Sequence, residues 1–262
     1  MSFLYHADVT RLIIADAHLG QRRDDAEVMV SLIRRAADRG VNEIIYLGDT
    51  FQYLIGMSKF WTGAVRTVMS AWDEVRAEGL RIVLIEGNRD FFLDEPGLSR
   101  RVDAVGRSYE FSQATRRYRL VHGDRVNRRD RQYRFWSAVS KSGVARLWAR
   151  LLPRPVALAI VTTMEARLAK TNRKFRYRKP VADFKRTAAT AWSEGVNVLF
   201  WGHFHTLWRI SEWDHLAMVI PAWLETNGAI LVTSDGRWSW VDTDLEPVPL
   251  PDVSDGPEVG IA

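Results

Sequence analysis

Apolar residues follow two rhythms in the first third of the chain. Val9 to Ala15 (VTRLIIA) is a short apolar run that stops at Asp16, as a buried strand would. From Asp24 to Arg39 the spacing changes: Val28, Leu32, Ile33 and Ala36 recur at helical intervals, and Gly40 ends the segment. Ile44 to Leu47 predicts a second strand, Lys59 to Glu78 a second helix closed by Gly79, and Arg81 to Ile85 a third strand. The order β–α–β–α–β predicts a sheet with helices packed on it.

Arg107 to Ser112 and Tyr118 to Val121 predict two more strands. The segment from Arg125 to about Glu194 has no strand pattern. There Trp136, Val139, Val144, Leu147, Trp148 and Leu151 recur every three to five residues, and Pro155 suits the first turn of another helix carrying Ile160, Val161, Met164 and Leu168. Strands resume at Val196 to Trp201, and Val219, Ile230 to Thr233 and Trp238 to Val241 continue them. Four prolines after Glu246 predict a disordered tail over 246–262.

Composition narrows the class. Of 262 residues, 47% are hydrophobic and 26% charged, so the chain can bury a large core and is neither disordered, collagenous nor coiled coil. The absence of cysteine excludes disulfides, thiolate metal sites, Fe–S clusters and a cysteine nucleophile. No stretch approaches the roughly 18 apolar residues of a membrane helix, and Met1 to Arg11 lacks the form of a signal peptide. A soluble, cytoplasmic protein is expected. Charge is divided unevenly. Arg125 to Arg186 holds 18 Lys and Arg against 3 Asp and Glu, while the remainder holds 19 against 29. That division predicts a polyanionic partner: nucleic acid, an anionic membrane or a phosphorylated ligand.

Five apolar runs end in residues able to bind metal or act in catalysis. They are Asp16-Ala17-His18, Gly48-Asp49, Gly87-Asn88-Arg89-Asp90, His122-Gly123-Asp124 and Gly202-His203-Phe204-His205. Open α/β sheets bind ligands at the carboxyl ends of their strands. Glycine before Asp49, Asn88 and His203 would let the chain turn sharply there. Carboxylate, imidazole and amide oxygen together suit divalent Mn, Fe, Zn, Ni or Co. Two ions roughly 3.5–4 Å apart need a bridging carboxylate, for which Asp49 is the natural candidate.

The ordered set D-x-H, G-D, G-N-x-D, H-G-D and G-H-x-H resembles calcineurin-like metallophosphoesterases from Asp16 to His205. The resemblance implies an α/β fold: a four-layer α/β/β/α sandwich with a helical cap insertion. The core would be 1–124 and 187–245, and the basic insertion 125–186 would form a lid. It also implies two divalent ions, Mn²⁺ expected, with Asp16, His18, Asp49 and His205 on one. Asp49, Asn88, His122 and His203 would hold the other. Asn88, Arg89, His122 and His203 would be the catalytic residues.

Most of that superfamily has histidine after the asparagine, where this chain has Arg89. Arginine does not give up its proton, so it cannot be a general acid, but it can clamp a phosphate. It favours a leaving group that is already a stable anion. Gly87-Asn88-Arg89-Asp90-Phe91 resembles the UDP-2,3-diacylglucosamine diphosphatase family of lipid A biosynthesis, which also carries a helical insertion before its last motif. The resemblance implies hydrolysis of a nucleotide-activated glycolipid to UMP and 2,3-diacylglucosamine 1-phosphate. The site would be peripheral on the cytoplasmic face of the inner membrane, against an anionic membrane surface. Asn88, Arg89, Arg167, Asn172, Arg173, Lys174 and His203 are the expected substrate contacts, and no obligatory protein partner is inferred.

The sequence departs from that family at Phe204, Gln52 and Ala222-Trp223-Leu224-Glu225, where the family usually has threonine, an acid and A-W-H. The alternatives are a metallophosphoesterase acting on another nucleotide, phospholipid or nucleic acid, and a non-catalytic scaffold. Nucleic acid is disfavoured by Arg89 and by the apolar side chains interleaved with the charge.

Overall fold

The computed structural model describes residues 9–126, 139–171 and 180–251, without the side chains of 167–171. In chain order the strands begin with β1 (Arg11–Ile14), β2 (Glu43–Tyr46), β3 (Leu54–Ile55), β4 (Arg81–Ile85) and β5 (Asp90–Phe91). They continue with β6 (Ala104–Gly106), β7 (Ser108–Gln113), β8 (Arg116–Val121) and β9 (Val198–Trp201). The last are β10 (Trp208–Glu212), β11 (His215–Val219), β12 (Ala229–Val232) and β13 (Trp238–Val241). The helices are α1 (Asp25–Asp38), α2 (Gly63–Ala77), α3 (Pro96–Ser99), α4 (Gly143–Leu151), α5 (Arg154–Thr171), α6 (Val181–Ser193) and α7 (Trp223–Thr226).

Two larger sheets face each other. The first has the order β13-β12-β1-β2-β4-β6, with β1, β2, β4 and β6 parallel. The second has the order β10-β11-β9-β8-β7, with β8, β9 and β11 parallel. Alternation of side chains along each strand separates the cores. Ile13, Ile45 and Val83 of the first sheet meet Tyr118, Leu120, Val198, Phe200 and Met218 of the second. Leu12, Ile14, Ile44, Tyr46, Ile82 and Leu84 point the other way, onto α1 and α2. Leu32, Ile33 and Ala36, whose spacing predicted α1, lie on its buried face with Met29, whereas Val28 is 38% exposed; Val65, Val68, Trp72 and Val75 supply the buried face of α2. Phe184, Ala188 and Ala191 of α6 pack on Leu199, Trp201, Ala217 and Val219, the outward residues of the second sheet. Helix α6 therefore runs through residue 186, the expected end of the insertion.

Helices α4 and α5 rest on a separate apolar cluster. Ala145, Ala149, Leu152, Ala157 and Val161 cover Ile55, Met57, Phe60, Phe91 and Phe92. Ser142 caps α4, accepting from the Ala145 N–H at 3.2 Å. Arg146 and Arg150 tie it down to Asp94 and Glu95, at 2.6 and 2.7 Å. The opposite face of α4 presents Val144, Leu147, Trp148 and Leu151, which are 57–71% exposed.

Residues 246–250 are held by the core, which corrects the expectation of a disordered tail from Glu246. Val248 donates its N–H to the Trp240 carbonyl at 2.9 Å, and Val248 and Leu250 pack on the inter-sheet core. The rest of that tail, 252–262, lies outside the described residues. Among the described residues no helix is long and apolar enough to cross a membrane.

Candidate metal centre

The motif residues follow β1, β2, β4, β8 and β9, five of the parallel strands of the two sheets, and they converge at one end of the molecule. His18 Nε2 and His205 Nε2 lie 3.3 Å apart. Asp16 Oδ1 is 4.0 Å from the first and 3.7 Å from the second. Next to this group, Asn88 Oδ1 is 3.1 Å from His122 Nε2 and 2.9 Å from His203 Nδ1. Asp49 stands between the groups, with Oδ2 3.9 Å from His18 Nε2 and Oδ1 3.7 Å from His122 Nε2. One carboxylate thus offers one oxygen to each donor set.

The donors fit two divalent ions. Two ligands about 2.0–2.2 Å from a shared ion stand roughly 3–4 Å from each other. Asp16 Oδ1 and His205 Nδ1 are buried without a hydrogen-bond partner. A buried carboxylate oxygen facing imidazole nitrogens is costly unless a cation lies among them. Burial pushes the Asp16 carboxyl up, against the pull of His205 and His122. For His122, burial alone would depress the ring, but Asp49, Asp16 and Asp124 outweigh it and lift the ring to about 9. His203 goes the other way, to about 4, through burial and the nearby His122.

Local backbone conformation aims these side chains. Asp16, His18, Asp49, His203 and His205 all have left-handed φ, from 46° to 67°. Asp and His tolerate that region better than most residues, but five cases at one centre are stored strain at a functional site. The glycines act differently from the expectation of sharp turning. Only Gly48, of the three that precede Asp49, Asn88 and His203, has positive φ, at 84°. Gly87 and Gly202 provide room: a Cβ on Gly202 would lie 2.6 Å from Asp16 Oδ2, and one on Gly87 would overlap Asp49 Oδ1.

Surrounding groups fix the ligands. The Leu47 carbonyl lies 2.9 Å from His122 Nδ1, so that nitrogen carries the proton and Nε2 is left for metal. The His203 N–H donates to Asp16 Oδ2 at 2.7 Å, tying the end of β9 to the end of β1. Asp90 accepts from the Asp49 and Gly87 N–H groups at 3.0 and 2.7 Å. Burial, then the Asp49 charge, lifts its carboxyl to about 7. Glu225, in the departed A-W-H motif, places Oε1 3.8 Å from His205 Nδ1. Motif reading assigned no role to Leu47, Asp90 or Glu225. Asp90 carried a signal in its place inside G-N-R-D, and Glu225 in its place where the related family has A-W-H.

Arg89 is buried beside the bridge, with Nε 3.7 Å from Asp49 Oδ2 and Nη1 bonded to Gln52. Gln52, where the related family has an acid, in turn bonds Gln21. Of the remaining expected substrate contacts, the side chain of Arg167 and the residues Asn172, Arg173 and Lys174 lie outside the described residues.

Two facing sheets whose parallel strands bring two histidine-rich donor sets onto one shared carboxylate form a candidate dinuclear metal centre. The chain is similar to two bacterial proteins named UDP-2,3-diacylglucosamine hydrolase. One, from Stenotrophomonas maltophilia (strain K279a), is 26% identical over 254 residues, covering 88% of this chain and 97% of that protein. The other, from Ralstonia nicotianae, is 27% identical over 222 residues, covering 77% and 82%. A solved dimetal phosphatase from Danio rerio is 13% identical with a TM-score of 0.45, covering 90% and 99%. No protein-family model matches the chain.

Proposed function

We propose that this chain hydrolyses the pyrophosphate bond of UDP-2,3-diacylglucosamine, releasing UMP and 2,3-diacylglucosamine 1-phosphate. The observation that carries the reading is Arg89: a buried guanidinium 3.7 Å from the bridging carboxylate, at the position where a protonating histidine would serve a poor leaving group. The names of the two bacterial relatives support the same substrate.

Asp16, His18, Asp49 and His205 would hold one ion, and Asp49, Asn88, His122 and His203 the other. Bound divalent ions, Mn²⁺ in this reading, supply a lowered pKa for water and charge neutralisation at phosphoryl oxygens. The chain's residues do the rest. Arg89, held by Gln52, presents fixed positive charge to the phosphate being expelled. His203 and Asn88 face the phosphorus nearer the uridine. Water adds its oxygen to that phosphorus, and the bond to the bridging oxygen breaks. The departing sugar 1-phosphate is a stable anion and needs no proton from Arg89.

The insertion serves in this reading as a lid at the cytoplasmic face of the inner membrane. The exposed stripe of Val144, Leu147, Trp148 and Leu151 would meet acyl chains. The basic surplus would meet anionic headgroups, each Lys or Arg near the surface contributing about 1 kcal/mol. Reversing Arg173, Lys174 and Arg176 to Glu should release the protein from anionic vesicles; sedimentation equal to wild type would refute the contact.

The deciding experiment incubates the purified protein with UDP-2,3-diacylglucosamine and Mn²⁺ in ¹⁸O water. Labelled UMP supports the reading, and label only in the lipid phosphate reverses the side of attack. Arg89→Lys should lose roughly 10- to 100-fold in turnover with both metals retained, because an ammonium cannot bond Gln52 and phosphate as a fork does. No UMP, with turnover of another phosphodiester, would favour the broader phosphoesterase reading.

A further inference from the structure

The insertion sends a cation against the segment that carries Asn88 and Arg89. Lys141 stands directly before Ser142, the cap of α4. Its side chain is 12% exposed. Its ammonium donates to Glu86 Oε1 at 2.5 Å and to the Gly87 carbonyl at 2.8 Å. It also lies 5.3 Å from the centre of the Phe91 ring. Glu86, Gly87 and Phe91 bracket Asn88 and Arg89 between the end of β4 and β5. Burying an ammonium is costly unless it is paired and hydrogen-bonded, and these contacts offset that cost.

The contact with Gly87 bears on the metal centre. The Gly87 carbonyl belongs to the peptide plane that ends at the Asn88 nitrogen, and that plane is rigid. Holding the oxygen therefore fixes the direction in which the chain enters Asn88. Asn88 Oδ1 stands 3.1 Å from His122 Nε2 and 2.9 Å from His203 Nδ1, so a rotation of the peptide would carry the amide oxygen away from both. The core already holds the rest of the loop. Gly87 donates its N–H to Asp90 Oδ2 at 2.7 Å, and Arg89 donates its N–H to Asp49 Oδ1 at 2.9 Å. Gly87 packs so closely on Asp49 that a Cβ would overlap Oδ1. The Gly87 oxygen is held from the insertion instead. Docking of α4 has other supports, namely Arg146 and Arg150 on Asp94 and Glu95 and the apolar cluster beneath it.

We propose that Lys141 is a positioning residue for the ion held by Asn88, His122 and His203: by gripping the Gly87 carbonyl it fixes the peptide that presents the Asn88 amide oxygen. The proposal rests on the two-ion reading above. Lys141 acts through Asn88 and is not itself a ligand, because an ammonium has donors and no acceptor. The insertion thereby takes part in the metal centre through a residue that touches neither ion. The ion held by Asp16, His18 and His205 draws no ligand from this loop and should be indifferent to Lys141.

The test titrates Mn²⁺ into the full-length, metal-stripped protein and follows the paramagnetic resonance signal of the unbound ion. Wild type should bind two ions per chain. Lys141→Met keeps the reach of the side chain and removes the ammonium. It should weaken one site by about 10- to 100-fold, the scale for losing a group that orients a ligand, and leave the other unchanged. In an Asp16→Ala background, where chiefly the Asn88 site remains, the same loss should appear. Lys141→Arg, which can still donate to both oxygens, should restore most of the affinity. Arg146→Met removes a tie between α4 and Asp94 without touching Gly87, and should leave both sites at wild-type affinity. Amide hydrogen exchange on the metal-free proteins gives a second readout. In Lys141→Met the segment 86–90 should exchange faster while α4 keeps its protection. Both affinities unchanged in Lys141→Met, an equal loss in Arg146→Met, or lost protection across α4 in Lys141→Met would each overturn the positioning role. Fewer than two ions on wild type would instead overturn the two-ion reading.

Discussion

His18 Nε2 and His205 Nε2 stand 3.3 Å apart across 187 positions of sequence. Their rings stack at a centroid distance of 5.1 Å and 16°. Two imidazole nitrogens so placed, with a buried carboxylate oxygen beside them, gain from a common cation. The seven ligand positions form a linked set in which the one residue touching both halves has the most to lose.

That residue is Asp49. Asp49→Ala should lose both ions and at least about 10²–10³-fold in turnover, the scale for removing a preorganised electrostatic group. Asp16→Ala should empty chiefly one site. Elemental analysis of the dialysed variants checks both, and two ions retained in Asp49→Ala would contradict the bridging role.

Gly202 tests the packing behind the ligands. A Cβ there would lie 2.6 Å from Asp16 Oδ2 and 3.2 Å from the Leu47 carbonyl, both fixed by buried neighbours. Gly202→Ala should cost roughly 1–3 kcal/mol of stability, as overpacking does, and reduce occupancy of the Asp16 site. Denaturant unfolding with metal analysis measures both effects.

Far from the ligands, Glu43 sits 1% exposed between the sheets. It accepts from Arg11 and Tyr109, each at 2.9 Å, and Arg81 is 3.1 Å away. Glu43→Ala would leave the buried Arg11 without its carboxylate and should cost about 3–5 kcal/mol. Metal content should stay at two ions per chain, because the network is structural.

Glu165 couples the docking of α5 to pH. Burial, then the nearby Asp25, raises its carboxyl to about 7. Asp25 is itself pinned by the Gly20 and Arg22 N–H groups, at 2.9 and 2.8 Å. Between about pH 4.5 and 7 the folded chain keeps a proton that the unfolded chain has lost. Stability from this group is therefore present at low pH and lost as pH rises through 7. Glu165→Gln should remove that decline, so thermal midpoints of the two proteins should diverge as pH rises from about 4.5 to 7 and keep a constant offset above 7. Parallel curves between pH 4.5 and 7 would show that Glu165 is charged in the fold throughout that interval.

Much of this was legible locally. Helical spacing in α1 and α2 and apolar runs in β1, β2, β4, β8 and β9 depend on neighbours within one turn or one strand, so the linear order displays them. The ligand types were legible for the same reason: each lies directly after its strand. Short strands such as β3, β5 and β6 were not, because two or three residues carry no period and pair only once their partners are in place. Nor was the anchoring of 246–250, whose prolines suggested a free tail until Val248 met Trp240. The sequence by itself determined which side chains could bind metal and the order in which strands present them. Only the tertiary structure decided that Asp49 turns one oxygen to each donor set and that Gly202 yields space to Asp16. These depend on distances between strands of different sheets, and only packing of the two sheets sets those distances.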